Sequence, residues 1–276
     1  MRSRQLRWTM TSIAALGLMI TASAAPAPAD TSAPSSMAAL GDSLSRGFNA
    51  CGWMFDCTDR SWSTGDSEAI NSHYSQILEV NPKIAGNNFN NARTGADSYA
   101  LVSQATAAVE QGVDYVTILI GANDVCSISE EYNTATADFR ANVDTALARL
   151  KAGLPEASVF VASVPDVVRV WEIAGHSSDA QAVWKVAAAC PTVLGESGSV
   201  AADDQRRDRM RQRIDEYNAE LAAACEAYGP LCVYDGGATN SYAFTMDQMS
   251  TWDYFHLNRE GQNDLAEVTY AAGFGW

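Results

Sequence analysis

The chain has 276 residues, 47% of them hydrophobic, with 18 basic and 33 acidic residues for a formal net charge of −15. That length supports a sizeable buried core. The acidic balance, without a basic stripe, excludes nucleic acid as a partner and strong adhesion to anionic membranes; transient contact with neutral or zwitterionic lipid aggregates stays compatible with it.

The N-terminus reads as an export signal. Arg2, Arg4 and Arg7 form a positive n-region, Trp8 to Ala22 is largely apolar, and Ala22-Ser23-Ala24 supplies small residues for cleavage. The apolar run is short and broken by Thr9, Thr11, Ser12 and Thr21, which argues against a retained membrane anchor. The expected organisation is a signal over 1–24, with a cut as late as 29 as the alternative. A disordered Pro/Ala/Ser-rich leader follows over 25–36, then one domain over 37–276. The expected location is extracellular, and the expected state is a monomer.

Met37-Ala38-Ala39-Leu40 is the first strand candidate. Tyr115–Ile120 and Ser158–Ser163 are two more, with weaker runs at Asn88–Ala92 and Leu231–Tyr234. Helical spacing lies between them. Asp97 precedes Ser98–Glu110, where Leu101, Ala105, Ala108 and Val109 share a face. Asp138–Lys151 aligns Phe139, Val143, Ala146, Leu147 and Leu150, and Gly153-Leu154-Pro155 stops it. Asp204–Tyr228 is long and charged, as on a surface helix, and Glu260–Ala272 forms the last one. Residues 165–203 read as a long insertion that could cover a site. Strand and helix in alternation predict an α/β protein: a flavodoxin-like, five-stranded parallel sheet in a three-layer α/β/α sandwich. In such sheets a ligand crevice lies outside the carboxyl ends of the strands.

Six cysteines, Cys51, Cys57, Cys126, Cys190, Cys225 and Cys232, suit an exported chain with disulfides. Short spacing favours Cys51–Cys57 and Cys225–Cys232, leaving Cys126–Cys190 to tie two long loops. No spacing is Cys-x-x-Cys and histidines are few, so structural zinc is not expected, and the serine chemistry read below requires no metal or organic cofactor.

The chemistry-bearing residues cluster at the predicted strand ends. Gly41-Asp42-Ser43-Leu44 follows the first strand, Gly95 the second, and Gly121-Ala122-Asn123-Asp124 the third. Ser43 is the candidate nucleophile, against the ordinary reading of a helix-capping serine. A serine hydroxyl needs a base, and Asp253-Tyr254-Phe255-His256 places an acid and a base on one loop before the last helix. There the carboxylate can hold Nδ1 while Nε2 faces the serine. The plain alternative is an i,i+3 surface hydrogen bond. The Ser43 amide, Gly95 and Asn123 are candidate oxyanion donors, although a Gly or Asn in a turn is common. Asp124 is expected to hold the loop, and His73 and His176 to serve packing or surface. Phe48, Trp53, Met54, Phe55, Trp62, Trp171 and Trp184 either line an acyl groove or pack beneath the loops.

Gly-Asp-Ser-Leu, a later Gly, Gly-x-Asn-Asp and a terminal Asp-x-x-His resemble the four sequence blocks of the SGNH (GDSL) hydrolases, in family order from Ser43 to His256. The resemblance implies the SGNH hydrolase fold, with Ser43 as nucleophile, His256 as base and Gly95 and Asn123 in the oxyanion hole. Asp253 is implied as the third member, a role that some relatives give to a backbone carbonyl. Asp59-Arg60-Ser61-Trp62-Ser63-Thr64-Gly65-Asp66, Ile77-Leu78, Asn81-Pro82, Ile84-Ala85-Gly86 and Thr117–Cys126 look like the phospholipase B-like branch, where some animal members carry serine in place of Asn123. The implied activity is release of acyl chains from phospholipid, lysophospholipid or related esters. A short-chain esterase or carbohydrate O-deacetylase is the alternative on the same fold, and a non-catalytic secreted binding module the remote one.

Overall fold

The computed structural model describes residues 32–276. The signal read over 1–24, its alternative cut at 29 and most of the 25–36 leader lie outside the described residues.

Five strands form one parallel sheet in the order β2-β1-β3-β4-β5. They are β1 Met37–Gly41, β2 Asn88–Asn90, β3 Tyr115–Leu119, β4 Ser158–Val161 and β5 Cys232–Tyr234. The three central strands, β1, β3 and β4, are buried along their whole length, which is why they read as continuous apolar runs rather than alternating ones. This is the flavodoxin-like topology expected from the sequence.

Helices cover both faces. α1 is His73–Val80, α2 Leu101–Gln111, α3 the short turn Ala122–Val125 and α4 Thr136–Gly153. α5 is Val168–Ala174, α6 Ser178–Ala187, α7 the turn Pro191–Leu194, α8 Val200–Tyr228, α9 Ala238–Ser241 and α10 Arg259–Ala271. On one side α2, α4 and α8 pack in a row, with α2 against β1 and α8 against β5. On α8 the buried residues Arg207, Met210, Ile214, Tyr217, Leu221 and Ala224 recur every three or four positions, so one stripe faces in and the charged remainder faces water. On the other side α1 and α10 meet. Tyr115 and Thr117, two residues apart and therefore on one face of β3, reach His73 of α1 and Ser63 before it.

The long insertion read over 165–203 has helices of its own. It carries α5, α6 and α7, and α8 begins at Val200, ahead of the charged run that marked its start in the sequence. Short helices of mixed polarity give a weak periodic signal, so tertiary packing rather than pattern decides them.

The pairings Cys51–Cys57, Cys126–Cys190 and Cys225–Cys232 all form. His73 lies fully buried, and His176 is exposed on the turn between α5 and α6. The Thr269 hydroxyl donates to the Leu265 carbonyl at 2.6 Å, so its oxygen accepts from His73 Nε2–H at 2.8 Å. That leaves Nδ1 to accept from the Tyr115 hydroxyl at 2.9 Å. Burial, which disfavours the charged ring, lowers the His73 pKa from 6.5 to about 3. The unfolded chain takes up a proton below 6.5 that the native state refuses until about 3. His73 therefore contributes stability in full above that window and loses it as pH falls through it. In His73→Gln this part of the acid-side slope should flatten, at a cost of about 1–3 kcal/mol at neutral pH from imperfect pairing in the core. Thermal unfolding of both proteins between pH 3 and 8 measures it.

Candidate active site

The parallel register puts Gly41 of β1 opposite Leu119 of β3, so the loops leaving the two strands emerge side by side. Gly41 is at φ +144, and a methyl group there would run into the Leu119 carbonyl oxygen, so only glycine lets the chain leave β1 at this point. Gln104 of α2 completes the exit. Its Oε1 accepts from the Gly41 amide at 2.7 Å and its Nε2 donates to the Gly41 carbonyl at 2.9 Å, as a neighbouring strand would. A polar residue on the otherwise apolar stripe Leu101, Ala105, Ala108 was the available signal for Gln104, and composition alone does not reveal its partner.

Two residues later Ser43 is nearly buried, with 7% of its surface exposed. Its Oγ lies 2.8 Å from His256 Nε2, across 213 positions of sequence. His256 Nδ1 lies 2.6 Å from Asp253 Oδ2. Asp253 Oδ1 accepts the backbone amides of Phe255 at 3.1 Å and His256 at 3.0 Å. Burial pushes this carboxyl up, but the bonds from His256 and the two amides outweigh it and hold the group below the ordinary carboxylate range. An ionised Asp253 accepts only, so Nδ1 carries the ring proton and Nε2 is left to accept from the Ser43 hydroxyl.

The loop that carries Asp253 and His256 is closed on itself. Ser250 donates its amide to the His256 carbonyl at 2.8 Å, Tyr254 donates its amide to the Ser250 carbonyl at 2.8 Å, and Met249 pairs with Leu257. Tyr254 adopts φ +52 to make this turn, a left-handed conformation that costs a non-glycine residue about 1–2 kcal/mol. Trp184 of α6 is buried beneath and donates its indole N–H to the Asp253 carbonyl at 3.0 Å. Phe48 packs on the imidazole with ring centroids 4.8 Å apart.

Asn123 and Gly95 belong to neighbouring loops that are tied together. Asn123 Nδ2 donates to the Ala96 carbonyl at 2.9 Å, which orients the amide and leaves its second N–H available. Gly95 is exposed at φ +77. Among the described residues, no other group takes the backbone N–H of Ser43 or of Gly95. Asp124 accepts from the Ser98 amide at 2.9 Å and the Ser98 hydroxyl at 2.6 Å, so it clamps the start of α2 to the loop after β3. Burial raises its pKa despite those donors.

A narrow cleft of about 50 Å³ adjoins Ser43, Asn123 and His256. Its apolar wall includes Pro165, Val167, Val170, Phe244, Phe255 and Leu257. Most of these were not singled out in the sequence, because they come from three separate segments and only folding gathers them. The aromatic residues named as groove candidates mostly lie elsewhere. Trp62 is fully buried and Trp184 is core, whereas Trp53, Met54 and Phe55 are exposed. Trp171 stacks on Arg207, whose Cζ sits 3.4 Å from the ring centre. The segment Asp59–Asp66 acts as scaffold: the Ser61 hydroxyl donates to the Ser45 carbonyl at 2.8 Å, and Gln262 accepts from the Trp62 amide at 2.9 Å. Cys51, Cys57 and Asp59 are the one acid-and-thiol group among the described residues close enough for a metal, but both sulfurs are taken by the disulfide.

Asp42, beside Ser43, has no accessible surface. Oδ1 accepts the Leu44 amide at 2.9 Å, while Oδ2 has no partner among the described residues. Burial lifts this carboxyl from 3.8 to about 7, against the Leu44 amide and the nearby His256 ring. The native state keeps a proton that the unfolded chain gives up above 3.8, so the stability contributed by Asp42 falls as pH rises to about 7 and is level beyond. Asp42→Asn removes this loss. Its melting temperature relative to wild type should climb between pH 4 and 7, and a constant difference across that range would show that Asp42 ionises normally.

The sequence profile of the GDSL-like lipase/acylhydrolase family matches residues 37–269. Phospholipase B1, membrane-associated, of Rattus norvegicus is 30% identical over 210 residues, covering 63% of this chain and 14% of that protein. The chain thus spans only a small part of the length of the curated relatives it matches. Among solved structures, an acetyl-xylooligosaccharide esterase from Geobacillus Stearmophilus has a TM-score of 0.52 at 16% identity, covering 87% of this chain and 94% of that one. A GDSL-like lipase candidate from Parabacteroides merdae ATCC 43184 has a TM-score of 0.51 at 16% identity, covering 86% and 94%. At such identity these two show likeness of fold alone.

Proposed function

This chain belongs to the GDSL-like lipase/acylhydrolase family and is a carboxylic ester hydrolase, and we propose that it releases acyl chains from lipid esters through a Ser43-His256-Asp253 acyl-enzyme mechanism. The observation that carries this reading is the unbroken hydrogen-bond chain from Asp253 through His256 to Ser43, set beside an apolar cleft. His256 Nε2 takes the Ser43 proton as Oγ bonds to the ester carbonyl carbon, and Asp253 stabilises the imidazolium that forms. The oxyanion is held by the amides of Ser43 and Gly95 and by the free N–H of Asn123. The imidazolium returns its proton to the leaving alcohol as the C–O bond breaks. Water, deprotonated by His256, then attacks the acyl carbon, and the imidazolium returns that proton to Ser43 Oγ as the acyl–Oγ bond breaks and the acid leaves.

The aliphatic and aromatic side chains on the cleft wall, which a hydrocarbon tail would meet, support a lipid ester over an acetyl ester. The phospholipase B1 relatives point the same way. We also propose that the protein is exported. Three disulfides suit an oxidising compartment, and the arginine-led apolar N-terminus suits a secretion signal.

Purified protein should release acid from p-nitrophenyl esters up to long chains and fatty acid from phosphatidylcholine, and Ser43→Ala should abolish both while unfolding at the wild-type temperature. Acetate release alone would move the assignment to a short-chain esterase or carbohydrate deacetylase, and full activity in Ser43→Ala would remove Ser43 as nucleophile. Asn123→Ala should lose about 10²–10³ in kcat with little change in KM, since its N–H acts on the oxyanion rather than on the bound ester. An unchanged kcat would take Asn123 out of the oxyanion hole.

A further inference from the structure

Most large apolar residues exposed on this protein are scattered, but four gather in one place. Trp53, Met54 and Phe55 are 61%, 55% and 49% exposed on the loop closed by Cys51–Cys57, and Trp252 is 43% exposed on the loop that carries Asp253 and His256. The Trp53 and Trp252 rings stack with centroids 5.6 Å apart, so two loops nearly 200 positions apart in sequence present one surface. We propose that this surface is a docking face for a neutral or zwitterionic lipid interface, which holds the mouth of the Ser43 site against the aggregate that supplies its substrate. The proposal rests on the lipid-ester reading for its purpose, though not for its binding.

The position of the loop carries the argument. Asp56, between the exposed aromatics and Cys57, pairs with Arg46 of the Ser43 loop at 2.8 Å and accepts from Thr94, the neighbour of Gly95, at 2.5 Å. The aromatic loop is thereby anchored to two of the loops that make the site and stacked on the third. It is also held in shape. The Asn49 amide donates to the Phe55 carbonyl at 3.1 Å, and the Cys57 amide to the Arg46 carbonyl at 3.0 Å. With the disulfide, these bonds keep the apolar side chains from folding back onto the protein. Such a patch is costly in water and pointless in a free monomer, but indole and phenyl rings partition well into a lipid–water boundary.

Charge selects the kind of interface. The four side chains carry none, and the net charge of −15 repels anionic lipid, so attraction must come from apolar burial into a neutral surface. A polysaccharide is the rival occupant. Sugar platforms present open ring faces, whereas here the Trp53 and Trp252 rings lie against one another and Met54 and Phe55 extend the apolar surface. Among the described residues no helix is long and apolar enough to cross a membrane.

Co-sedimentation with phosphatidylcholine vesicles tests this, with Ser43→Ala as the background so that the lipid is not consumed. Ser43→Ala should bind, and adding Trp53→Ser and Phe55→Ser should weaken partitioning by about tenfold or more. No binding by Ser43→Ala, or equal binding by both proteins, overturns the proposal. So does loss of binding to insoluble xylan with vesicle binding unchanged, which would mark a carbohydrate platform. In the active protein, Trp53→Ser/Phe55→Ser should keep wild-type turnover of dissolved p-nitrophenyl butyrate while its rate on vesicles falls. An equal fall on both overturns the docking role. Vesicle binding that the two substitutions abolish, in a protein that frees no fatty acid from phosphatidylcholine, supports the docking face and overturns the substrate reading alone.

Discussion

A parallel sheet sends every strand out at the same edge, and that constraint organises this molecule. β1 and β3 lie in register, so the chain segments after Gly41 and Leu119 start as neighbours. β2 joins them on the other flank, where the Arg93 amide donates to the Gly41 carbonyl at 3.1 Å and draws the Gly95 loop alongside. Three loops of unremarkable composition thus converge without any of them having to fold back. The fourth component arrives from the far end of the chain: α10 packs beside α1, and the loop ahead of it is led to the same edge by Gln262, which donates to the Leu44 carbonyl at 3.0 Å. The site is a consequence of topology, and the short polar bonds set its final geometry.

Three buried carboxyls crowd this edge, and each is managed differently. Asp253 has four hydrogen bonds' worth of acceptor capacity and uses it on two amides and an imidazole, which is enough to keep it charged despite burial. Asp124 binds an amide and a hydroxyl of Ser98, and burial still wins. Asp42 has one amide and an orphaned oxygen, and its pKa moves furthest. Burial raises all three, and only at Asp253, the least deeply buried and the one that faces the histidine, do the hydrogen bonds outweigh it. Of the three, only the acid that faces the histidine is held below the ordinary carboxylate range.

The three central strands were legible because burial on both faces leaves uninterrupted apolar runs, whereas the half-buried β2 and β5 gave weaker signals; α2, α4 and α10 were legible because one stripe of each is apolar. The serine, the histidine and their acid were legible because their spacing to strand ends and to the last helix is a topological statement that survives in one dimension. The cleft wall was not. Pro165, Val170, Phe244 and Phe255 carry no mark that separates a wall from a core, and Val168–Ala174 is too short to show a period. Gln104 and Gln262 were equally silent, since a glutamine on a helix looks the same whether it meets water or a carbonyl that must not be left unpaired. Trp62 and Trp184 left two readings open, groove or packing, because an indole looks the same in sequence either way; both are buried.

The disulfides divide by what they constrain. In the chain-entropy account, Cys126–Cys190, with a separation of 64, removes about 4 kcal/mol of freedom from the unfolded chain, against about 2 for Cys51–Cys57 and Cys225–Cys232 with separations of 6 and 7. The long bridge therefore bears most on global stability, and it also ties the loop after Asn123 to the segment between α6 and α7. That segment continues back to Trp184, which supports Asp253. One covalent link thus couples the Asn123 side of the site to the floor of the histidine loop. The two short bridges add less to stability than to shape. Cys225–Cys232 joins the end of α8 to β5, far from the chemistry. Cys51–Cys57 shapes a loop whose apolar residues remain outside, a use of a disulfide that core stability does not require and that a surface with its own partner does.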